Sequence, residues 1–167
     1  GDTVLVAPGI YYENINFLGK ALTVKSQYET GLPISDFIIS GVDSTSVVTI
    51  ENIDGDSLSL VGFTITGGYG RGISFEDFIS LAADQNALDS LLNHAIRAGG
   101  ISVRNSNPIL KDLHITNNTA RNAGAGIGLI NSEAIIESSE ISYNNIPNGD
   151  ALGGGGVAIN GGHPYLK

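Results

Sequence analysis

The most constraining feature is a segment that recurs three times toward the end of the chain. Gly100-Ile101-Ser102-Val103 leads through Asn107-Pro108-Ile109-Leu110-Lys111 to His114-Ile115-Thr116-Asn117-Asn118. Gly126-Ile127-Gly128-Leu129 leads through Ala134-Ile135-Ile136-Glu137 to Glu140-Ile141-Ser142-Tyr143-Asn144. A third copy opens at Gly156-Val157-Ala158-Ile159 and reaches His163-Pro164-Tyr165-Leu166-Lys167. The copies start 26 and 30 residues apart, and Pro108, Ala134 and Pro164 keep those same offsets. A unit repeated at this period cannot bury its apolar face alone and has to stack on its neighbours.

Within each unit apolar residues alternate over only a few positions. Ile101 and Val103 are expected to point inward and Ser102 and Arg104 outward, with Leu110 and Ile115 inward again. The same short alternation runs through the earlier chain at Val4/Val6, Ile15/Phe17, Leu22/Val24, Ile38, Val48/Ile50, Leu58/Leu60 and Phe63/Ile65. Bounded by Gly, Asn, Asp or Ser, such segments read as short half-buried strands. Three per unit, separated by bends, would circle one apolar interior, with matching strands of successive coils parallel and about 4.8 Å apart. Dividing the chain by a unit of about 25 residues predicts roughly five coils. Asn118 and Asn144 fall at one corner, and Asp112 and Ser138 at the preceding one. Asparagine accepts left-handed backbone, and stacked asparagines can form a ladder. Glycines at 99–100, 124, 126 and 153–156 open each new coil where side chains would collide. A β-sandwich with glycine-rich loops is the alternative, but a sandwich does not require matched corners at near-constant offset.

One segment breaks the rhythm. Between Gly72 and Gly99, Phe75, Phe78, Ile79, Leu88, Leu91, Leu92, Ala95 and Ile96 recur at helical spacing, with a break near Asp84-Gln85-Asn86. Ser74 with Asp77 fits a variant capping box, and Gly99-Gly100 a helix stop. The expected organisation is one solenoid over 1–167 with a helical insertion at 74–98, either lidding the solenoid or walling a groove.

Residues 1–17, Gly-Asp-Thr-Val-Leu-Val-Ala-Pro-Gly-Ile-Tyr-Tyr-Glu-Asn-Ile-Asn-Phe, resemble the entry coil of right-handed parallel β-helix proteins of the pectate-lyase-like superfamily. Phe37-Ile38-Ile39-Ser40-Gly41, Val47-Val48-Thr49-Ile50-Glu51-Asn52 and Gly62-Phe63-Thr64-Ile65-Thr66-Gly67-Gly68 look like its next coils. The resemblance implies an all-β, right-handed, single-stranded parallel β-helix. It does not imply one activity, because that superfamily mixes lyases, glycoside hydrolases, esterases, tailspikes, adhesins and inert repeats. Its members usually carry a short helix ahead of the Gly-Asp-Thr-Val motif that plugs the open end. With the chain starting at Gly1 and its last repeat stopping at Lys167, the expectation is a part of a longer protein whose uncapped ends invite self-assembly.

Composition narrows the partners. Eight basic against 17 acidic residues give a net charge of −9, which repels phosphate backbones and argues against nucleic acid. Cysteine is absent, so neither disulfides nor thiolate metal sites are available. No apolar run reaches the ~18 residues of a membrane span. Stacked outward residues form columns, and four candidate sites follow. Lys111, Glu137 and Lys167 make an alternating ladder that either supports strand pairing or lines a groove. His114 and Glu140 are neighbours one coil apart, a proton acceptor and orienting group for a lyase. Thr66, Thr116 and Ser142 make a hydroxyl column that, with Arg104, would contact a ligand. Glu51, Asp54 and Asp56 set oxygen ligands around a glycine as calcium loops do, so calcium is the one cofactor the pattern offers. The absence of any Asp-Asp pair weighs against glycoside hydrolysis. Asn117-Asn118-Thr119 matches a glycosylation sequon, but the corner needs the same asparagines.

The preferred reading is a non-catalytic, secreted or cell-surface β-helix module serving as a spacer or as a surface for a polysaccharide or another protein. The rival is a lyase-type enzyme acting on acidic glycans, its groove along the Lys111/Glu137 and His114/Glu140 columns.

Overall fold

The computed structural model describes every residue except 43, 56, 75, 77–78, 81–83, 88–89, 91–96 and 148–152. The chain winds as a coil of short strands. The first coil contains β1 (Asp2–Val6), β2 (Gly9–Tyr12) and β3 (Ile15–Asn16), and the second β4 (Leu22–Ser26), β5 (Phe37–Ser40) and β6 (Val48–Ile53). The third contains β7 (Ser59–Val61), β8 (Thr64–Thr66), β9 (Tyr69–Gly70) and β10 (Ile101–Ser106). The fourth contains β11 (Ile109–Lys111), β12 (His114–Thr116), β13 (Thr119–Ala120) and β14 (Ile127–Ile130). The fifth contains β15 (Ile135–Glu137), β16 (Glu140–Ser142) and β17 (Val157–Asn160), and β18 (Tyr165–Leu166) starts another turn.

Like strands stack into three long parallel sheets and one short one, β9-β13. The first sheet orders β1-β4-β7-β11-β15-β18, the second β2-β5-β8-β12-β16 and the third β3-β6-β10-β14-β17. Parallel pairing of each strand with its counterpart one coil away makes this an all-β, right-handed parallel β-helix, the hand that parallel crossovers adopt. Inward residues stack on themselves from coil to coil: Leu60, Leu110 and Ile136 in the first sheet, and Ile39, Ile65 and Ile115 in the second. In the third sheet Val48, Ile101 and Ile127 form one such stack, and Ile50, Val103 and Leu129 another. All of these are buried, and together they form one continuous core.

One inward assignment changes, and another holds at an open end. In Phe37-Ile38-Ile39 the inward side chains are Phe37 and Ile39, which are buried, whereas Ile38 lies on the outer face and is half-buried. Three consecutive apolar residues leave the alternation without a phase, and pairing with β2 and β8 sets it. Val4 is half exposed because it lines a cavity of about 360 Å³ at the mouth of the first coil, with Val6, Ile15, Phe17, Leu22 and Val24 around it.

Nine corners of the regular coils turn on a left-handed residue. Gly62, Asp112 and Ser138 have φ of 81°, 51° and 49° between the first and second sheets. Gly67, Asn117 and Tyr143 have φ of 73°, 54° and 53° between the second and third. Asn52, Asn105 and Asn131 have φ of 53°, 45° and 49° on the return to the first sheet. Asn118 and Asn144 form the expected ladder, but the left-handed positions are the residues before them. Asn118 accepts from the Gly68 N–H at 2.9 Å and donates to Asn144 Oδ1 at 3.0 Å. A second ladder escaped the sequence reading: Asn105 donates to Asn52 at 2.8 Å and Asn131 to Asn105 at 3.2 Å. The coil-opening glycines behave as expected. A Cβ on Gly100 would stand 2.5 Å from the Gly126 carbonyl oxygen, and one on Gly126 2.6 Å from that of Gly156.

The insertion leaves after β9. Residues 76, 79–80, 85–87 and 90 are helical, and Asp84 accepts from the Asn86 and Ala87 N–H groups at 3.1 Å, a cap at the expected break. The proposed Asp77 cap, Phe75, Phe78, Leu88, Leu91, Leu92, Ala95 and Ile96 lie outside the described residues. Both legs are pinned. Asn122 accepts from the Ile73 N–H at 2.7 Å and donates to its carbonyl at 3.0 Å, and the Arg97 N–H donates to Arg71 at 2.9 Å.

Candidate functional site

The outer face of the second sheet carries two columns, set by pairing register. One contains Ile10, Ile38, Thr64, His114 and Glu140. The other contains Tyr12, Ser40, Thr66, Thr116 and Ser142, a hydroxyl on every coil. The expected Thr66, Thr116 and Ser142 are thus in register, and Tyr12 and Ser40 extend the column in both chemistry and direction. Ser40, Thr66, Thr116 and Ser142 are half-buried and Tyr12 is exposed. Among the described residues none of the five hydroxyls is engaged with another protein group, in contrast to Thr64, whose hydroxyl donates to the Ile34 carbonyl at 3.3 Å.

One side of this face is walled by residues 27–36, the loop that joins β4 to β5. Gly62 leaves room for the Tyr28 ring, which a Cβ there would strike. The Tyr28 hydroxyl donates to the Asp112 carboxylate on the corner of the fourth coil. Burial, and then this hydrogen bond, push the phenol up to about 12. Lys25 pairs with Glu29 at 2.7 Å and fixes the loop's base. The opposite rim is the corner that carries Gly67, Asn117 and Tyr143, with Tyr69 beyond it. The corner uses both asparagines of the sequon: Asn117, which is exposed, supplies its left-handed backbone, and Asn118 makes the ladder bonds.

His114 and Glu140 stand side by side, both exposed, and the remainder of their column holds no arginine or lysine. The lysine ladder belongs to a different sheet. Lys111 meets Glu137 at 2.9 Å on the outer face of the first sheet, and Lys167 follows Leu166, the partner of Ile136. The hydrogen bond from Lys111 chiefly holds the Glu137 carboxyl below the ordinary carboxylate range, and the same bond raises the Lys111 ammonium. A lowered carboxylate contributes stability above its unfolded pKa and loses it as pH falls through the folded value. The pair is solvent-exposed, which screens that contribution. Replacing Lys111 by alanine is therefore expected to move the Glu137 titration upward in carboxyl NMR while leaving the thermal midpoint essentially unchanged.

The third sheet bears on three expectations. Arg104, expected outward as a ligand contact, does leave the core but is only 5 % exposed. Its Nε stands 3.5 Å from Glu51 Oε1, and Glu51 also pairs with Arg97 on the returning leg of the insertion. Burial pulls both guanidiniums below their ordinary value. Glu51 thus faces two arginines across the sheet, Asp54 is exposed in the following turn, and Asp56 lies outside the described residues. No cluster of three metal-ligating side chains occurs among the described residues. The insertion's described ends also pack on this third sheet, with Ala98 against Gly128, so they do not wall the Lys111 and His114 columns. Tyr12, Tyr69, Tyr143 and Ser40 were missed because the loop at 27–36 and the insertion break the offsets that would have aligned them.

No protein-family model and no curated protein matches the chain. Among solved structures it is similar to a mutant pectin methylesterase in complex with a hexasaccharide, at 12% identity over 90% of this chain and 50% of that one, TM-score 0.43. It is similar to pectin methylesterase PemA from Erwinia chrysanthemi at 11% identity over 89% and 47%, TM-score 0.44. It is also similar to a pectin methylesterase bound to a second hexasaccharide at 12% identity over 91% and 50%, TM-score 0.45. The chain spans about half the length of these structures.

Proposed function

We propose that this chain is a non-catalytic, polysaccharide-binding β-helix module of a secreted or cell-surface protein, its ligand lying along the outer face of the second sheet. The observation that carries this reading is the column of five unengaged hydroxyls, Tyr12 to Ser142, in register on five successive coils. Repeated at about 4.8 Å, they offer donors and acceptors to a polymer that itself presents hydroxyls at regular intervals. The half-buried setting helps, since a hydroxyl partly shielded from water loses less to solvent competition. The hexasaccharide complexes of the pectin methylesterases are compatible with a sugar polymer as partner, but the hydroxyl column is the reason for the reading.

Affinity gel electrophoresis against a panel of neutral and acidic polysaccharides tests it. The chain is expected to be retarded by at least one of them. Thr116→Val, which keeps the shape and removes the hydroxyl, should weaken that binding about fivefold, the equivalent of roughly 1 kcal/mol. A chain that migrates freely through every gel overturns the proposal. The register of His114 with Glu140 favours one other reading, a lyase acting on uronic-acid polymers. Ultraviolet-absorbing unsaturated product that disappears with His114→Ala, assayed with and without calcium, would replace the binding module by that enzyme.

A further inference from the structure

Three exposed tyrosines, Tyr12 at the head of the hydroxyl column and two beside it, stand on alternate coils. Tyr12 belongs to the first coil, Tyr69 to the third and Tyr143 to the fifth, and they are 70%, 42% and 82% exposed. Tyr12 heads the column, Tyr69 pairs with Thr119 just past the corner, and Tyr143 immediately follows Ser142. Strand spacing puts successive members of the set about 10 Å apart along the coil axis.

We infer that this rim and the hydroxyl column together bind an uncharged polysaccharide whose chain runs parallel to the coil axis, with the three phenol rings as stacking platforms. The inference rests on the polysaccharide reading above and specifies its ligand class and direction. A flat aromatic ring covers the C–H face of a pyranose with apolar area while its hydroxyl stays in water, and the neighbouring column meets the sugar hydroxyls. Alternate-coil spacing suits a linear chain that presents the same ring face at every second residue.

Two further observations support it. The ionic groups in the adjoining column are His114 and Glu140, while Lys25, Lys111 and Lys167 stand on the first sheet, so the face has no row of cations for a polyanion. Arg71 and Arg121 lie two residues beyond Tyr69 and Thr119, and Arg71 gives its Nε–H to the Ser44 carbonyl at 3.0 Å. A net charge of −9 further disfavours polyuronates. The second observation is backbone strain. Tyr143 holds φ at 53°, where the equivalent corner residues are Gly67 and Asn117. A bulky side chain in left-handed backbone is disfavoured, so stability alone would place glycine or asparagine there. An exposed ring in strained backbone is compatible with a contact made from the surface, although Leu18 shares that backbone at φ 52°.

The test compares wild type with Tyr12→Ala, Tyr69→Ala, Tyr143→Asn and Thr116→Val in native gels containing soluble uncharged glucans, uncharged mannans or polygalacturonate. Tyr143→Asn is expected to raise the thermal unfolding midpoint while weakening retardation by an uncharged glycan about tenfold. Each alanine variant should show a loss of similar size. Wild type that prefers polygalacturonate, or tyrosine variants that bind like wild type while Thr116→Val does not, overturns this inference alone. Wild type retarded by none of the polymers overturns the polysaccharide reading and this inference with it.

Discussion

Truncating Leu110 to alanine will destabilise the chain by about 3–5 kcal/mol, at the upper end of what a buried leucine normally contributes. Leu110 is fully buried and lies between Leu60 and Ile136, one coil to either side. The cost of such a cavity depends on how far its surroundings can collapse into it. Here collapse along the axis is blocked, because the parallel ladders hold successive coils about 4.8 Å apart. Leu166→Ala is the control. Its side chain faces the same way in the same stack but is 53% exposed, so the loss should stay below about 1 kcal/mol. Urea unfolding with an unchanged slope measures both, and equal losses at the two positions would contradict a dry, continuous core.

Asn118→Ala should cost nearly as much, about 2–4 kcal/mol, with almost no apolar area lost. The side chain is 1% exposed and works in four directions at once. It accepts from the Gly68 N–H, and it donates to the Ile65 carbonyl at 3.0 Å, the Thr116 carbonyl at 3.1 Å and Asn144 Oδ1 at 3.0 Å. Alanine would take this partner from the Gly68 N–H and from the Ile65 and Thr116 carbonyls, within a connected network where single deletions cost most, while its own N–H still reaches Asn144 Oδ1. Asn105→Gly offers the contrast. It keeps the left-handed backbone and removes a rung of the exposed Asn52-Asn105-Asn131 ladder, so less than about 0.5 kcal/mol should be lost. Amide hydrogen exchange at Gly68 should accelerate in the Asn118 variant only. A protected Gly68 amide there would mean that the ladder is not what satisfies it.

Much of the coil was readable before any coordinates, for a physical reason. When each unit stacks on the next in register, equal offsets in sequence become contacts in space. Lys111 against Glu137, His114 against Glu140, Thr116 against Ser142 and Asn118 against Asn144 all follow from one offset of 26 residues. What stayed hidden had lost that offset or depended on what covers a face. Ile38 sits among apolar neighbours on both sides, so only its partners decide its direction. Arg104 leaves the core as its alternation demands, yet the return of the insertion buries it beside Glu51 and Arg97, and no local pattern announces that cover. Spacing around the turn shows that Glu51 and Asp54 are close in sequence, but not that Glu51 meets Arg97 and Arg104, which come from far along the chain. The hydroxyl column was seen only where the repeats are regular. Its first two members, Tyr12 and Ser40, and the alternate-coil tyrosines become neighbours only after the irregular stretches are folded out of the way.

The left-handed residue at the regular corners has a bearing on how such a chain changes over time. Ile101 pairs with Val48 directly across the point where the insertion departs and returns, and Ile127 pairs with Val157 although that unit is longer than the one before it. Alignment between windings is therefore dictated by the bends and their ladders, while the amount of polypeptide between two bends is free to vary. Foreign loops grafted between Ile73 and Arg97, inside the pinned legs, should leave the winding intact, making that corner a natural port for acquiring new specificity without redesigning the frame.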